Sequence, residues 1–202
     1  MGLNKKINIE NLKENRAVSE AREKLHDDRT RGIVKWVFEI IVTLVFAVLV
    51  AISAFQTVTL QESAMEPTYS VSEKFFVNRA LYKISSPKRG DVIVFKTSAS
   101  DSAALHIRRV IGLPGETVQI KDGKIYINGK VYEENGAYQD MTDGGLANSA
   151  ITLESGEYFV LGDNRNNSED SRFSDIGNIS KKYIVGKVWF TVSPKNKIGF
   201  IK

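Results

Sequence analysis

The rhythm of apolar and polar positions changes once along this chain, near residue 56. Residues 33–55, IVKWVFEIIVTLVFAVLVAISAF, form one apolar run, and positions 40–55 within it carry no charge. Counted from Trp36, the stretch is about 20 residues, the length a helix needs to cross a bilayer. Glu39 lies near its start, close enough to an interface to stay hydrated. A cleaved leader would have a shorter apolar region followed by a small-residue cleavage site, and neither is present. Beyond residue 56 the apolar residues fall in short runs bounded by turn residues, the pattern of strands. Strands are predicted over 75–79, 91–96, 107–111, 117–120, 124–127, 130–132, 158–161 and 186–192. Asn128-Gly129 is a strong two-residue hairpin signal. One helical turn is predicted at 179–183, capped from Asn178. The fold class is therefore mainly β, an antiparallel sheet domain preceded by a transmembrane helix.

Three segments follow from this pattern: a charged tail over 1–32, a membrane helix over 33–55 and a β domain over 56–202. The tail holds charges of both signs and few apolar residues, and Glu20 and Lys24 stand at helical i,i+4 spacing. Arg29, Arg31 and Lys35 precede the span and favour a cytoplasmic N-terminus. The expectation is a single-pass protein of the plasma membrane with its β domain extracytoplasmic. The net charge is +4, with nine Lys and Arg against six Asp and Glu in the first 35 residues. No basic patch of nucleic-acid type stands out, so no nucleic acid partner is expected. The chain has no cysteine, which rules out disulfides and thiolate chemistry. No metal-ligand cluster or phosphate-binding glycine loop is visible, and neither a metal nor another cofactor is expected. Residues 133–152 are polar and contain Gly136, Gly144 and Gly145, reading as an insertion rather than core.

Four motifs run through the β domain: ESAMEPT at 62–68, RGDVIVF at 89–95, RRVIGLPGE at 108–116 and GDNRNNSEDSR at 162–172. Taken singly, Pro114-Gly115 and Gly162-Asp163-Asn164 are turn chemistry. Together and in this order they resemble type I signal peptidases, membrane-anchored serine proteases that remove signal peptides from exported proteins. The resemblance covers residues 33–202, and the single anchor matches the Gram-positive branch. It implies the antiparallel β fold of that family. It also implies a nucleophilic serine directly before Met65 and a general-base lysine directly before Arg109; this chain has Ala64 and Arg108 there. Ser168, Asp170 and Arg172 match residues that support the lysine and its strand. Glu62 stands where glycine or serine is usual beside the oxyanion hole, and Tyr69 where leucine is usual. Met65, Pro67, Val92 and Val94 are the implied lining of the substrate groove.

A Ser/Lys dyad works because a neutral amine takes the hydroxyl proton as the oxygen attacks the carbonyl. Alanine has no hydroxyl, and arginine stays protonated at any ordinary pH. A free carboxylate at Glu62 would oppose a developing oxyanion. Neighbouring side chains on an extended segment point to opposite faces, which turns Ser63 away from position 64. His106 reads as a strand-edge or surface residue. The resemblance thus implies a non-cleaving relative that binds extended segments of exported preproteins or pilin-like subunits by strand addition, an accessory in export or pilus assembly. The alternative is a type I signal peptidase carrying inactivating substitutions. Phe75 and Phe76 are the expected apolar rim resting on the lipid bilayer.

Overall fold

A computed structural model describes residues 3–100 and 103–201; the side chains of residues 3–15, 17, 21, 24–26 and 28 lie outside the description. The chain divides into two units, 1–52 and 53–202. Helix α1, Leu3–Ala54, runs unbroken for 52 residues. Its stretch Arg29–Ala54 is long and apolar enough to cross a membrane, and none of it is buried against protein. The charged tail is helical with it. No proline precedes Pro67, and ion pairs at i,i+4 join Arg16 to Glu20 at 3.6 Å, Asp27 to Arg31 at 2.9 Å and Lys35 to Glu39 at 3.9 Å. The side chain of Lys24, and with it the Glu20–Lys24 pair, is outside the described residues.

The second unit is built from β1 (Phe55–Thr59), β2 (Lys74–Asn78), the short helix α2 (Leu81–Ile84), β3 (Val92–Phe95), β4 (His106–Gly112), β5 (Thr117–Lys121), β6 (Lys124–Ile127) and β7 (Lys130–Val131). β8 (Ile151–Thr152), β9 (Glu157–Leu161), β10 (Ile179–Ser180), β11 (Ile184–Ser193) and β12 (Gly199–Phe200) complete it. The large sheet has the order β1-β2-β11-β3-β4-β9-β10, with β12 on β11, and the small sheet the order β7-β6-β5-β8. Every pairing is antiparallel. Asn128 and Gly129 have φ of 51° and 77°, the two positive values that a tight hairpin between β6 and β7 requires.

The large sheet is covered on both faces, which explains the unbroken VIVF of β3. Val92 and Val94 pack with Val58, Met65, Phe75 and Ile107 on one side. Ile93 and Phe95 pack with Tyr82, Val110 and Tyr158 on the other. A third cluster, with Ile111, Val118, Leu153 and Phe159, joins the small sheet to the ends of β4 and β9. At about 25 cal/mol per Å² of apolar area removed from water, such clusters are the main stabilising force of the unit.

The structure departs from the sequence expectations in several places. β1 begins at Phe55, directly after α1, where the apolar run hides it. The predicted turn at 179–183 is two residues of strand followed by a 3-10 turn at Lys181–Tyr183, and Asn178 donates to Glu157 instead of capping. Phe75 is wholly buried and only Phe76 is exposed, as alternation along β2 dictates. The segment 133–152 is not a plain insertion, since Met141 and Ala147 belong to the third core cluster.

Candidate functional site

Glu62 leads into a 3-10 turn at Ser63–Met65, so the segment is not extended as the sequence suggested. Ser63 therefore lies on the same cleft as Ala64. The turn is pinned from a loop 100 residues away. Asn164 donates its N–H to the Ala64 carbonyl at 3.0 Å and its side-chain amide to the Ser63 carbonyl at 3.3 Å. Asn167 donates to the Ser63 hydroxyl at 3.2 Å.

Alternation along β4 sends His106 and Arg108 to one face and Ile107 and Arg109 to the other. Arg108 is fully buried. Its guanidinium donates to the Glu169 carbonyl through Nε at 2.7 Å, to the Ile107 carbonyl through Nη1 at 2.7 Å and to Glu62 Oε2 through Nη2 at 2.6 Å. The other oxygen of Glu62 lies 2.9 Å from His106 Nδ1. His106 begins its strand, as expected, but its ring is mostly buried and stacks on Phe95 at 5.6 Å. Burial pushes the Glu62 carboxyl up, yet the approach of His106 and the Arg108 cation more than offset this and hold it at about 2, from an ordinary 4.5. The carboxylate expected beside the oxyanion hole is thus the counter-ion of a buried arginine.

The loop after β9 holds the other side of the cleft. Asp170 and Arg172 form a buried bidentate pair at 2.8 and 2.9 Å. The Gly162 N–H donates to Asp170 Oδ2 at 3.1 Å, and Arg172 reaches the Arg165 carbonyl at 2.6 Å and that of Asp143 at 3.0 Å. Arg109 and Asp163 form a second bidentate pair at 2.8 and 2.7 Å, and Arg165 meets Glu134 at 2.6 Å. Ser168 Oγ is buried with no hydrogen-bond partner among the described residues. It packs on Gly162, where an added Cβ would lie 2.1 Å from that oxygen and 2.5 Å from the Ala64 carbonyl.

The cleft, of about 610 Å³, brings Ala64, Arg108, Glu62, Ser63 and Ser168 together. Asp170 and Arg172 stand behind it as framework. Met65, Val92 and Val94 do not line it. All three are packed in the core, Val92 and Val94 because both faces of β3 are covered. Pro67 opens on a separate cleft of about 400 Å³ with Arg89, Tyr132 and Tyr138. Chemically, the position facing the cleft offers a methyl group, and the cation beside it has no lone pair to accept a proton. Ser63 has an amide as its hydrogen-bond partner, which cannot act as a base. Among the described residues no group of three or more His, Cys, Asp or Glu is placed to hold a metal. His106 and the two asparagines were missed from sequence. Same-face spacing on a strand could have pointed to His106 beside Arg108, whereas the contacts of Asn164 and Asn167 with Ser63 bridge 101 and 104 positions of the chain.

The family model described as signal peptidase, peptidase S26, matches residues 33–193. Signal peptidase I of Bacillus licheniformis is 32% identical over 183 residues, covering 87% of this chain and 97% of that protein. A signal peptidase I of Bacillus amyloliquefaciens is 36% identical over 186 residues, covering 87% of this chain and 96% of that protein. The crystal structure of a signal peptidase I from Enterococcus faecalis V583 is 32% identical, covers 52% of this chain and 98% of that one, and has a TM-score of 0.42.

Proposed function

This chain belongs to the signal peptidase (peptidase S26) family, and from that premise we propose that it is a non-cleaving member. It would be a membrane-anchored protein that holds extended segments of exported preproteins or pilin-like subunits, as an accessory in export or pilus assembly. The observation that carries this reading is the Glu62–Arg108 contact at 2.6 Å. A buried guanidinium without a counter-ion is strongly destabilising. Glu62 supplies that charge from a position where the family resemblance leads one to expect glycine or serine. Substitution of a working dyad at 64 and 108 alone gives no reason for a carboxylate at 62. Three positions adjusted to one another favour a natural binder over a disabled peptidase.

Binding would use the stretch of β4 that β9 does not reach. β9 pairs with β4 only from Arg109 onward, so 106–108 carry no strand on that side. An extended segment added there would gain main-chain hydrogen bonds. The span within α1, with Arg29, Arg31 and Lys35 at its start, would place the N-terminus in the cytoplasm. The exposed rings of Phe76, Trp189 and Phe200 form an apolar face that fits a bilayer surface.

The test is incubation of the full chain, in lipid, with a preprotein bearing its signal peptide. The preprotein should co-purify uncut. Cleavage by the unaltered chain, or failure to retain the preprotein, would overturn the proposal. Serine and lysine codons at 64 and 108 in the source gene would favour the disabled peptidase instead.

A further inference from the structure

Among the described cations of the β unit, seven, Arg172 and Lys187 among them, hold a carboxylate oxygen at 2.5–2.8 Å. Arg79, Lys83, Lys181 and Lys182 instead converge on a cleft of about 840 Å³, and no carboxylate of the described residues lines it. In sequence these charges looked thinly spread; the pairing of β2 and β3 with β11 brings 79–83 and 181–182 together. Lys181 is held by neutral acceptors, the Ser85 carbonyl at 2.8 Å and the Ser86 hydroxyl at 3.2 Å, so its position is fixed while no carboxylate of the described residues cancels its charge. Lys182 lies 4.8 Å from the ring centre of Tyr183. Such a cleft is complementary to a compact anion with several acceptor oxygens.

Its place in the chain narrows the anion. The Arg79 N–H donates to the carbonyl of Ala54, the last residue of α1, at 2.8 Å. Gln56, two residues beyond that helix, lines the cleft. Two residues of extended chain cover about 7 Å. Ile84, which follows Lys83 on α2, is 90% exposed, an apolar side chain next in sequence to one of the charges. A bilayer offers this combination, phosphate and acyl chain within a few ångströms, at its headgroup level. We propose that the cleft binds the headgroup phosphate of an anionic phospholipid in the leaflet from which α1 emerges. The proposal rests on the reading of α1 as a membrane span. A net negative headgroup suits it because no described carboxylate in the lining balances the cations.

The full chain, purified in a zwitterionic detergent, is titrated with phosphatidylglycerol and separately with phosphatidylcholine, and retained lipid is counted by native mass spectrometry. Phosphatidylglycerol should be retained about tenfold better, as expected for two or more cations near a headgroup. Lys83→Glu with Lys182→Glu should abolish the preference, and the milder Lys83→Gln with Lys182→Gln should reduce it. Lys121→Glu with Lys124→Glu, on the small sheet, should leave it unchanged. Equal retention of both lipids, or a preference that survives the reversal at 83 and 182, overturns the proposal. Displacement of the lipid by millimolar inorganic phosphate would assign the cleft to the free ion and overturn the lipid assignment. The same preparation, inserted in phosphatidylcholine vesicles, is washed with alkaline carbonate. Extraction would overturn the span and the proposal together, whereas retention without lipid preference overturns only the latter.

Discussion

Two buried arginines support the same cleft, Arg108 in its wall and Arg172 behind it, and they are neutralised in different ways. Arg172 meets Asp170 two residues away in one loop, with two hydrogen bonds between fully buried partners. Arg108 meets Glu62 across 46 residues, with one hydrogen bond to a carboxylate whose side chain is 37% exposed and shared with His106. The loop side keeps the residues that the family resemblance leads one to expect. The other side departs from that expectation at 62, 64 and 108. Asp170 and Arg172 tie Gly162, Arg165 and Asp143 into one piece, so the fold needs them whether or not a bond is cut. Nothing in the fold needs a serine and a lysine at the other side, provided that the charge there is balanced.

The comparison can be broken at several points. The largest effect should come from rebuilding the dyad. Ala64→Ser with Arg108→Lys leaves Glu62 beside the new lysine, where it would keep the amine protonated. Adding Glu62→Gly should raise preprotein cleavage by at least about 100-fold over the double variant, the usual worth of a positioned general base. Equal rates would show that Glu62 does not govern this position. Next, Asp170→Asn should lower the unfolding free energy of the full chain in detergent by about 3–5 kcal/mol, as for a buried pair that loses one partner. Glu62→Gln should cost less, about 2 kcal/mol, because one charged hydrogen bond is weakened and two carbonyls still serve Arg108. If the order of these two losses were reversed, the loop would not be the firmer framework.

The Glu62 contact also carries a pH signature. Its carboxyl is held below its ordinary value, so the stabilisation it gives is present above pH 4.5 and is lost as pH falls towards about 2. Unfolding midpoints of the unaltered chain and Glu62→Gln should therefore converge over that window and differ by a constant amount above it. A gap that stays open at the acid end would mean that the carboxylate is not what holds Arg108. The smallest effect is expected at Ser168→Ala, within about 1 kcal/mol, since the hydroxyl makes no hydrogen bond to described residues.

What was legible in the sequence was local. Alternating runs and Asn128-Gly129 located most strands, because side-chain period and positive φ are properties of a few neighbouring residues. Asp170 and Arg172 were singled out by the family resemblance and not by local pattern. β1 was hidden because an apolar strand directly after an apolar helix leaves no change of pattern to read. β8, β10 and β12 are two residues each, too short to show a period. Ser63 was assigned to the wrong face because the turn that carries it is held by Asn164 and Asn167, and no local signal announces those contacts. Val92 and Val94 belong to the core because β3 is covered on both faces, which only the sheet order reveals.

Gly162 limits how the cleft can vary as well as giving it shape. A side chain there would collide at once with Ser168 and with the carbonyl of Ala64, so the turn and the loop must stay in register. Serine to alanine and lysine to arginine are each reachable by a single-nucleotide change, and neither disturbs that register. A route through these steps would also need Glu62 in place once position 108 is arginine, because a buried guanidinium needs its counter-ion. Replacing this glycine offers no such gradual route. In this architecture the wall of the cleft has room to vary at 62, 64 and 108, whereas the contact between turn and loop at Gly162 has none.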